Sequence, residues 1–185
     1  IIFSSYLRSF IFKKNNFGAA SVRAGNVIGG GDWSRDRLVP DIIRSIISSK
    51  PIHIRNPKST RPWQHVLEPL SGYILLAKKL YYYPKKFSGS WNFGPSKNDN
   101  LSVEEVAKEV IYYFGSGKIV KNKLKNFGHE AALLQLNCDK ASNILGWNSK
   151  WDTKETIKKV AEWYKFDKKN KIEITKKQIN EYYQQ

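Results

Sequence analysis

Apolar and polar positions along the chain alternate between a helical period and the period of short strands. After Pro40 and Asp41, four isoleucines at positions 42, 43, 46 and 47 form one face of a predicted helix. Helices are predicted for Ile1 to Lys14 (as the tail of a helix), from Pro40, Glu68 to about Tyr82, Ser102 to near Gly115, Asp139 to Gly146, Asp152 to about Lys168, and from Thr175. Short strands are predicted for Ala19 to Ala24, Ile52 to Ile54, Trp63 to Leu67, Ser90 to Phe93 and Leu133 to Cys138.

Polar residues in front of three helices have the spacing of helix caps. Ser102 with Glu105, and Thr175 with Gln178, match the capping box, while Asp139 is positioned to cap a short helix. No internal repeat or low-complexity linker interrupts the pattern. The order of elements predicts a mixed α/β fold.

A glycine-rich loop is the first candidate for chemistry. It follows the strand that ends at Ala24 and reads Gly25-Asn26-Val27-Ile28-Gly29-Gly30-Gly31-Asp32. The loop lacks the Gly-Lys-Ser/Thr of a phosphate-binding loop and the glycine spacing of the dinucleotide fingerprint. A sharp structural turn and a ligand loop therefore remain about equally good interpretations. Asn26 slightly favours a ligand, because the carboxyl ends of strands are where open α/β sheets bind them.

The segment from Arg55 to Glu68 is the second candidate. It brings Arg55, Arg61 and His65 close together in sequence, with Trp63 among them. Arginine presents a planar set of donors that fits phosphate oxygens, and an aromatic ring can close one side of a pocket. The alternative is a surface turn whose Trp fills the core.

Charge changes this picture because it is unevenly distributed. The 185 residues carry a formal net charge of +16, and residues 1–100 hold 16 Lys and Arg against only 5 Asp and Glu. A shortage of carboxylates suits a groove for anions such as nucleic acid, an anionic membrane or a phosphorylated ligand. The ordinary explanation of the positive charge is a surface that is rich in Lys throughout. Enough apolar residues are present to exclude wholesale disorder, and no apolar run reaches the length of a membrane span.

Other chemistries find little support. A single cysteine, Cys138, excludes a disulfide framework and is interpreted as buried and structural. The three histidines are too far apart to suggest a local metal site, so no metal is expected. Three Tyr-x-x-x-Lys matches are interpreted as coincidences in a chain rich in both residues: Tyr81 with Lys85, Tyr82 with Lys86, and Tyr164 with Lys168.

Several motifs resemble the extended short-chain dehydrogenases/reductases of the NAD-dependent epimerase/dehydratase family, and within them the CDP-glucose 4,6-dehydratases. The resemblance covers nearly the whole chain, and its most specific run is Arg-Pro-Trp-Gln-His-Val at 61–66. The other matching segments are Val22 to Trp33, Asp36 to Asp41, Ile54 to Pro57, Trp91 to Pro95, Gly128 to Ala131, Leu136 to Ala141, and Gln178-Ile179-x-x-Tyr182.

The resemblance implies that residues 1–185 are the C-terminal, substrate-binding half of such an enzyme. This half would contain the last strands of a Rossmann sheet and a small mixed α/β lobe, and the N-terminal Rossmann half would be absent. The family's catalytic Tyr-x-x-x-Lys and its acid and base would then lie upstream, so no catalytic residue is expected here and the chain alone should be inactive. The lack of any Met agrees with a fragment or a processed product.

The resemblance also implies the reaction of the complete protein. Such enzymes convert CDP-glucose to CDP-4-keto-6-deoxyglucose and water by oxidation at C4, elimination across C5 and C6, and hydride return to C6, with NAD as a recycled cofactor. The product would serve deoxysugar biosynthesis for lipopolysaccharide O-antigen. The expected protein is a cytoplasmic homo-oligomer that binds a sugar nucleotide, and neither nucleic acid nor a membrane. Another NDP-sugar dehydratase or epimerase is the nearest alternative, and a basic nucleic-acid-binding domain is an alternative of a different class.

Site residues follow from their positions in the family's motifs. Asn26 and Arg61 would hold the diphosphate, Arg37 and Leu38 would line the nucleotide side, and His53 and Arg55 would run beside the base. Ala24 and Gly25 would face the nicotinamide end of NAD. Three further residues would complete the nucleotide pocket: Asn92, His129 and Glu130.

Overall fold

A computed structural model describes residues 1–14, 16–96, 99–120 and 135–184. Its α-helices are α1 (Ile2–Tyr6), α2 (Leu38–Ile47), α3 (Leu67–Tyr82), α4 (Pro84–Phe87), α5 (Val103–Phe114), α6 (Thr153–Lys165) and α7 (Lys171–Gln184). Two π-helical turns span Leu7–Ile11 and Ala141–Leu145, and a 3-10 turn spans Lys168–Asn170. The strands are β1 (Ala20–Ala24), β2 (Asn26–Ile28), β3 (Ile52–His53), β4 (Thr60–Arg61), β5 (Trp63–His65), β6 (Gly89–Phe93), β7 (Leu101–Ser102) and β8 (Ile119–Val120).

The described strands form four two-stranded pairs. β1 pairs with β6, β2 with β5, and β3 with β8, all in parallel, whereas β4 and β7 are antiparallel. Every parallel pair joins strands that are distant in sequence, which requires crossover connections. The prediction of a mixed α/β fold is confirmed.

One apolar core lies between α2, α5 and α6. Its buried residues are almost all aliphatic, and β-branched residues dominate: Ile28, Val39, Ile42, Ile43, Ile46, Ile52, Trp63, Val106, Ala107, Val110, Ile157, Val160 and Tyr164. We call these three helices, with the strand pairs β2–β5, β3–β8 and β4–β7, the lobe. The isoleucine face predicted for α2 is buried here, except for Ile47, which is exposed.

A second core lies between the β1–β6 pair, α3, α4 and the turn Ala141–Leu145. Aromatic residues dominate it, and its buried members are Leu76, Phe87, Trp91, Phe93, Ala141, Leu145 and Trp147. We call these elements the sheet layer. β1 and β6 pair along five residues, from Ala20 with Gly89 to Ala24 with Phe93.

A buried carboxylate joins α3 to the C-terminal elements. Glu68 is fully buried and accepts hydrogen bonds from the backbone N–H groups of Lys150 and Trp151 and from the Tyr182 hydroxyl at 2.8 Å. Burial raises the pKa of Glu68 despite these bonds. A buried acceptor with three donors holds α3, the 150–151 segment and α7 in one arrangement.

The predicted start of the last helix differs from the structure. Thr175 does not begin a helix but lies inside α7, where its hydroxyl donates to Lys171 O and accepts from Trp163 Nε1. Gln178 is buried and donates to Lys159 O at 2.8 Å, so it ties α7 to α6 rather than closing a capping box. The Ser102–Glu105 capping box is present as predicted.

The segment before the second π-helical turn also differs. Asp139 does not cap this helical segment but lies within its first turn, and its N–H donates to Asn137 Oδ1 at 2.9 Å. Residues 135–138 of the predicted strand Leu133 to Cys138 are not a strand, and the rest of that prediction lies outside the described residues. Cys138 is only partly buried, so its interpretation as a buried residue was wrong.

The other differences are short elements that the sequence did not predict, namely α4, β4, β7 and β8, and small shifts at element ends. α2 begins at Leu38, two residues before Pro40, and α6 ends at Lys165. The predicted helix tail at Ile1 to Lys14 is confirmed as α1 with its π-helical turn. Within the described part of the chain, no helix has the length and apolar character needed to cross a bilayer.

Candidate functional site

A cavity of about 560 Å³ opens on the side of the lobe where β2, α2 and β3 meet. That volume falls in the usual range for small-molecule sites. Seven of the residues predicted from the sequence line this one cavity: Gly25, Asn26, Arg37, Leu38, His53, Arg55 and Arg61. Residues from separate stretches of sequence are therefore brought to a common surface.

Close approach of two strands sets the floor of the cavity. Asn26 is the first residue of β2, and its N–H donates to Pro62 O at 2.9 Å. A Cβ on Gly25 would lie 2.4 Å from Pro62 O, so only glycine fits there. The predicted loop 25–32 is thus partly wrong, because Asn26–Ile28 pair with Trp63–His65 as strands.

Arg61 is the most enclosed of the arginines in the cavity wall. It lies on β4, is 9% exposed, and its Nη1 donates to Thr60 O at 2.8 Å. A guanidinium carries five donors in a fixed plane, which suits an oxyanion such as a phosphate. Its burial and its place in the wall agree with the role predicted for it.

The cavity wall contains more carboxylates than the sequence suggested. Asp32, Asp36 and Asp41 line it together with three arginines, so the expectation of a carboxylate-poor groove was wrong at this place. Asp41 pairs with Arg44 and Asp36 pairs with Arg55. The wall therefore offers oriented arginines rather than a simple excess of positive charge.

The loop that carries Asp32 and Arg37 is held by hydrogen bonds. Arg44 on α2 donates to Trp33 O at 2.6 Å and to Ser34 O at 2.9 Å. Asp32 accepts from the Ser34 N–H at 2.9 Å, and this bond, with the nearby arginines, lowers the pKa of Asp32. The aspartate is therefore ionised at neutral pH.

Glycines in the same loop pack against an aromatic ring. A Cβ on Gly30 would lie 2.1 Å from the Trp163 ring, which belongs to α6. Trp163 in turn donates from Nε1 to Thr175 Oγ1 at 2.9 Å. Gly30 thus makes a structural contact between the loop and α6. This part of the loop therefore fits the interpretation as a structural turn.

Trp63 satisfies both interpretations considered from the sequence. It lines the cavity and is also a buried member of the lobe core, 5% exposed. His65, two residues on, does not reach the cavity: it is buried against Trp151, and its Nδ1 accepts from the Leu67 N–H at 3.3 Å. Burial, with the charge of Lys159, lowers the pKa of His65 to about 4.

Two predicted site residues lie elsewhere. Ala24 and Asn92 are on β1 and β6 and do not line the cavity. The Asn92 amide accepts from Arg23 Nε at 2.9 Å and donates to Asn137 O at 2.9 Å. His129 and Glu130 lie outside the described residues. The assignments of these four residues stay predictions.

Sequence reasoning missed Asp36, Asp41 and Asn56 as residues of the cavity wall. Asp36 and Asn56 flank predicted site residues directly, so their proximity to Arg37 and Arg55 was the signal available. Tyr164, from one coincidental Tyr-x-x-x-Lys match, donates its hydroxyl to Asp32 O at 2.6 Å, and its pKa is raised by burial to about 12. A pKa that high does not suit an acid or base at neutral pH.

Comparison with known proteins places these observations in context. No protein-family model matches the chain. The curated CDP-glucose 4,6-dehydratase of Salmonella typhimurium is 46% identical over 169 residues, which is 89% of this chain and 47% of that protein. The chain therefore spans about half the length of this relative.

Solved structures of sugar-nucleotide enzymes share the fold. UDP-glucuronic acid 4-epimerase from Bacillus cereus, solved with UDP-glucuronic acid and NAD, matches with a TM-score of 0.70 at 16% identity, over 88% of this chain and 48% of that one. dTDP-glucose 4,6-dehydratase from Bacillus anthracis, solved with NAD, matches with a TM-score of 0.67 at 18% identity, over the same 88% and 48%. The chain thus has the fold of about half of each of these two enzymes, and its sequence is similar to that of CDP-glucose 4,6-dehydratase.

Proposed function

We propose that the chain forms the sugar-nucleotide-binding part of a CDP-glucose 4,6-dehydratase. The observation that carries this proposal is the 46% identity to the Salmonella enzyme over 89% of the chain. The cavity supports it, because seven residues expected from the family's motifs line one space of suitable size. The fold alone would fit epimerases as well as dehydratases.

Within the cavity, the proposed contacts follow from the chemistry of the side chains that line it. Asn26 and Arg61 would hold the diphosphate, since an amide donor and a guanidinium suit its oxygens. Arg37 and Leu38 at the start of α2 would contact the nucleoside. His53 at the end of β3 and Arg55 just beyond it would lie beside the base. The contribution of these residues is to fix the sugar in place, and such positioning is worth several kcal/mol of a barrier.

NAD, when bound, would supply the redox chemistry at C4 and C6 of the sugar. The described residues offer at most one end of a site for it. Gly25 is explained by its contact with Pro62, and Ala24 pairs with Phe93 outside the cavity wall. We therefore propose that NAD is held mainly by protein outside this chain, where the catalytic Tyr-x-x-x-Lys is also expected, and that residues 1–185 form the C-terminal part of one epimerase/dehydratase domain.

The test uses the protein made from the complete reading frame that encodes this chain, called the intact protein from here on. It should bind CDP-glucose and convert it to a product 18 mass units lighter by loss of water, which mass spectrometry detects. The isolated chain, residues 1–185, should form no product. Dehydration by the isolated chain would contradict the proposed division of roles.

Substrate choice is tested by competition. CDP-glucose should be turned over faster than dTDP-glucose, and faster than UDP-glucose. Preference for either of the other two would replace CDP-glucose with another sugar nucleotide and leave the proposed class intact. Tight, steeply salt-dependent binding of nucleic acid without sugar-nucleotide binding would instead favour the alternative of a nucleic-acid-binding domain.

A further inference from the structure

An ion pair in the cavity wall joins two segments that the proposed site uses. Arg55 Nη2 donates to Asp36 Oδ1, and both residues line the cavity. Asp36 lies in the loop before α2 and immediately precedes Arg37, whereas Arg55 follows β3 and His53. The pair therefore spans two separate pieces of the cavity wall.

We propose that Asp36 is a positioning residue that holds the Arg55 guanidinium at the cavity so that it meets an anionic nucleotide without reorganising. The inference rests on the proposed function, and it adds a role to a residue that no motif assigned. Asp36 acts through Arg55 and is not itself a ligand contact.

Because Arg55 is exposed, its pairing with Asp36 is what restrains the guanidinium. The Arg55 side chain is 59% exposed and the Asp36 side chain 71% exposed, so packing restrains neither strongly. A long side chain that must be ordered on binding loses conformational entropy, which weakens the affinity. A carboxylate that orders the guanidinium beforehand reduces this cost.

The backbone at Asp36 supports a defined placement. Asp36 has φ of 61°, in the left-handed region that non-glycine residues adopt infrequently. Asp and Asn tolerate this region better than most residues. The Asp36→Asn variant therefore keeps the backbone while removing the negative charge, which makes it the appropriate probe.

The alternative is that the negative charge of Asp36 only repels an anionic ligand. Asp41 provides a matched control for this alternative. Asp41 also lines the cavity but pairs with Arg44, which does not. If Asp36 acts only through its charge, then Asp36→Asn and Asp41→Asn should both tighten binding. If Asp36 positions Arg55, only Asp36→Asn should weaken it.

The experiment measures the Kd for CDP-glucose by calorimetry on the intact protein and four variants: Asp36→Asn, Arg55→Gln, their combination, and Asp41→Asn. We expect Asp36→Asn to weaken binding about threefold, in line with exposed ion pairs. Arg55→Gln should weaken it more, and the double variant should match Arg55→Gln alone. In turnover, Asp36→Asn should raise KM with kcat unchanged and with no loss of thermal stability.

Other results would overturn the inference. Tighter binding by Asp36→Asn, additive losses in the double variant, or an equal loss in Asp41→Asn would each show that Asp36 does not act through Arg55. If the unmodified intact protein binds no sugar nucleotide, the proposed function itself fails, and that result is visible before any variant is compared.

Discussion

The lobe and the sheet layer bury different kinds of side chain in their cores. The lobe core is built mainly from isoleucine and valine on α2, α5 and α6, whereas the sheet-layer core is built around Trp91, Phe93, Phe87 and Trp147. The cavity and its arginines belong to the lobe. The candidate binding site and the aromatic core are thus located in different regions, so each should be open to change without the other.

Exposed apolar side chains occur in both regions. In the sheet layer, Ile74 and Tyr81 of α3 are exposed, and in the lobe, Ile47 of α2 and Tyr112 of α5 are exposed. The two regions therefore differ in their cores rather than in the apolar character of their surfaces.

Truncation of Trp91 should produce the largest effect and should be confined to stability. Trp91 is fully buried, donates from Nε1 to Phe87 O at 2.9 Å, and lies under the Lys140 ammonium at 4.0 Å from the ring centroid. Trp91→Ala should cost about 3–5 kcal/mol of unfolding free energy, measured by denaturation of the intact protein. Trp33→Ala, at a half-exposed Trp of the lobe, should cost much less. Equal losses would contradict the contrast.

Acid should destabilise the contact between β5 and the C-terminal elements through His65. Its pKa is about 4 in the folded protein and about 6.5 unfolded, so between these values the unfolded state binds more protons. Stability from this residue is complete above pH 6.5 and falls as the pH drops towards 4, by about 3 kcal/mol in total.

The measurement for His65 compares unfolding at pH 7 and pH 5. The intact protein should lose more stability than the His65→Gln variant, which has no group that titrates there. Glu68 has a raised pKa and acts in the opposite direction, but the comparison with the variant cancels its effect. His53→Gln, at an exposed histidine, serves as the control and should behave like the unmodified protein. An identical pH response in His65→Gln would rule out this assignment.

Loss of the Arg61 guanidinium should affect binding more than stability. Arg61→Ala should weaken the affinity for CDP-glucose about tenfold or more, because bonds to charged groups contribute about 1.5–3 kcal/mol. Arg61→Lys should restore only part of this, since an ammonium lacks the planar set of donors. Arg35→Ala, at an exposed arginine outside the cavity wall, is the control. An unchanged Kd in Arg61→Ala would remove Arg61 from the proposed site.

The smallest expected effect concerns the start of α5 in the lobe. Ser102 Oγ accepts from the Glu105 N–H, and the Glu105 carboxylate accepts from the Ser102 N–H at 2.8 Å. Ser102→Ala should cost about 1 kcal/mol of unfolding free energy. Ser116→Ala, at an exposed serine beyond the other end of α5, should cost almost nothing, and a loss equal to that of Ser102→Ala would argue against the cap.

Local signals predicted the longer helices and the strands β1, β3, β5 and β6, but not the short strands β2, β4, β7 and β8. The isoleucine spacing of α2 and the Ser102 capping box are properties of neighbouring residues, so the sequence alone revealed them. Thr175 has the sequence of a cap, but its hydroxyl is bonded to Trp163 and Lys171 within α7. No local pattern could show this, because the partner Trp163 lies on another helix.

In the candidate site, only the residues that belong to recognised motifs could be predicted from the sequence. Seven of the expected residues line one cavity, whereas the carboxylates beside them were missed. Asp36 and Asp41 look like ordinary surface charges until the loop, α2 and β3 are folded together. The pairing of Asp36 with Arg55 depends on three-dimensional proximity, which composition and charge counts do not contain. The pairing of Asp41 with Arg44 is an i,i+3 contact on α2, so helical spacing could have indicated it.

The contact between Gly30 and Trp163 restricts the order in which positions 30 and 163 can be substituted. With the indole in place, even a methyl group at position 30 would overlap it, since a Cβ there lies 2.1 Å from the ring. A larger residue at position 30 is therefore tolerated only after position 163 has become smaller. In a library randomised at both positions, variants selected for folding should show this dependence: side chains at 30 should appear almost solely beside a reduced residue at 163.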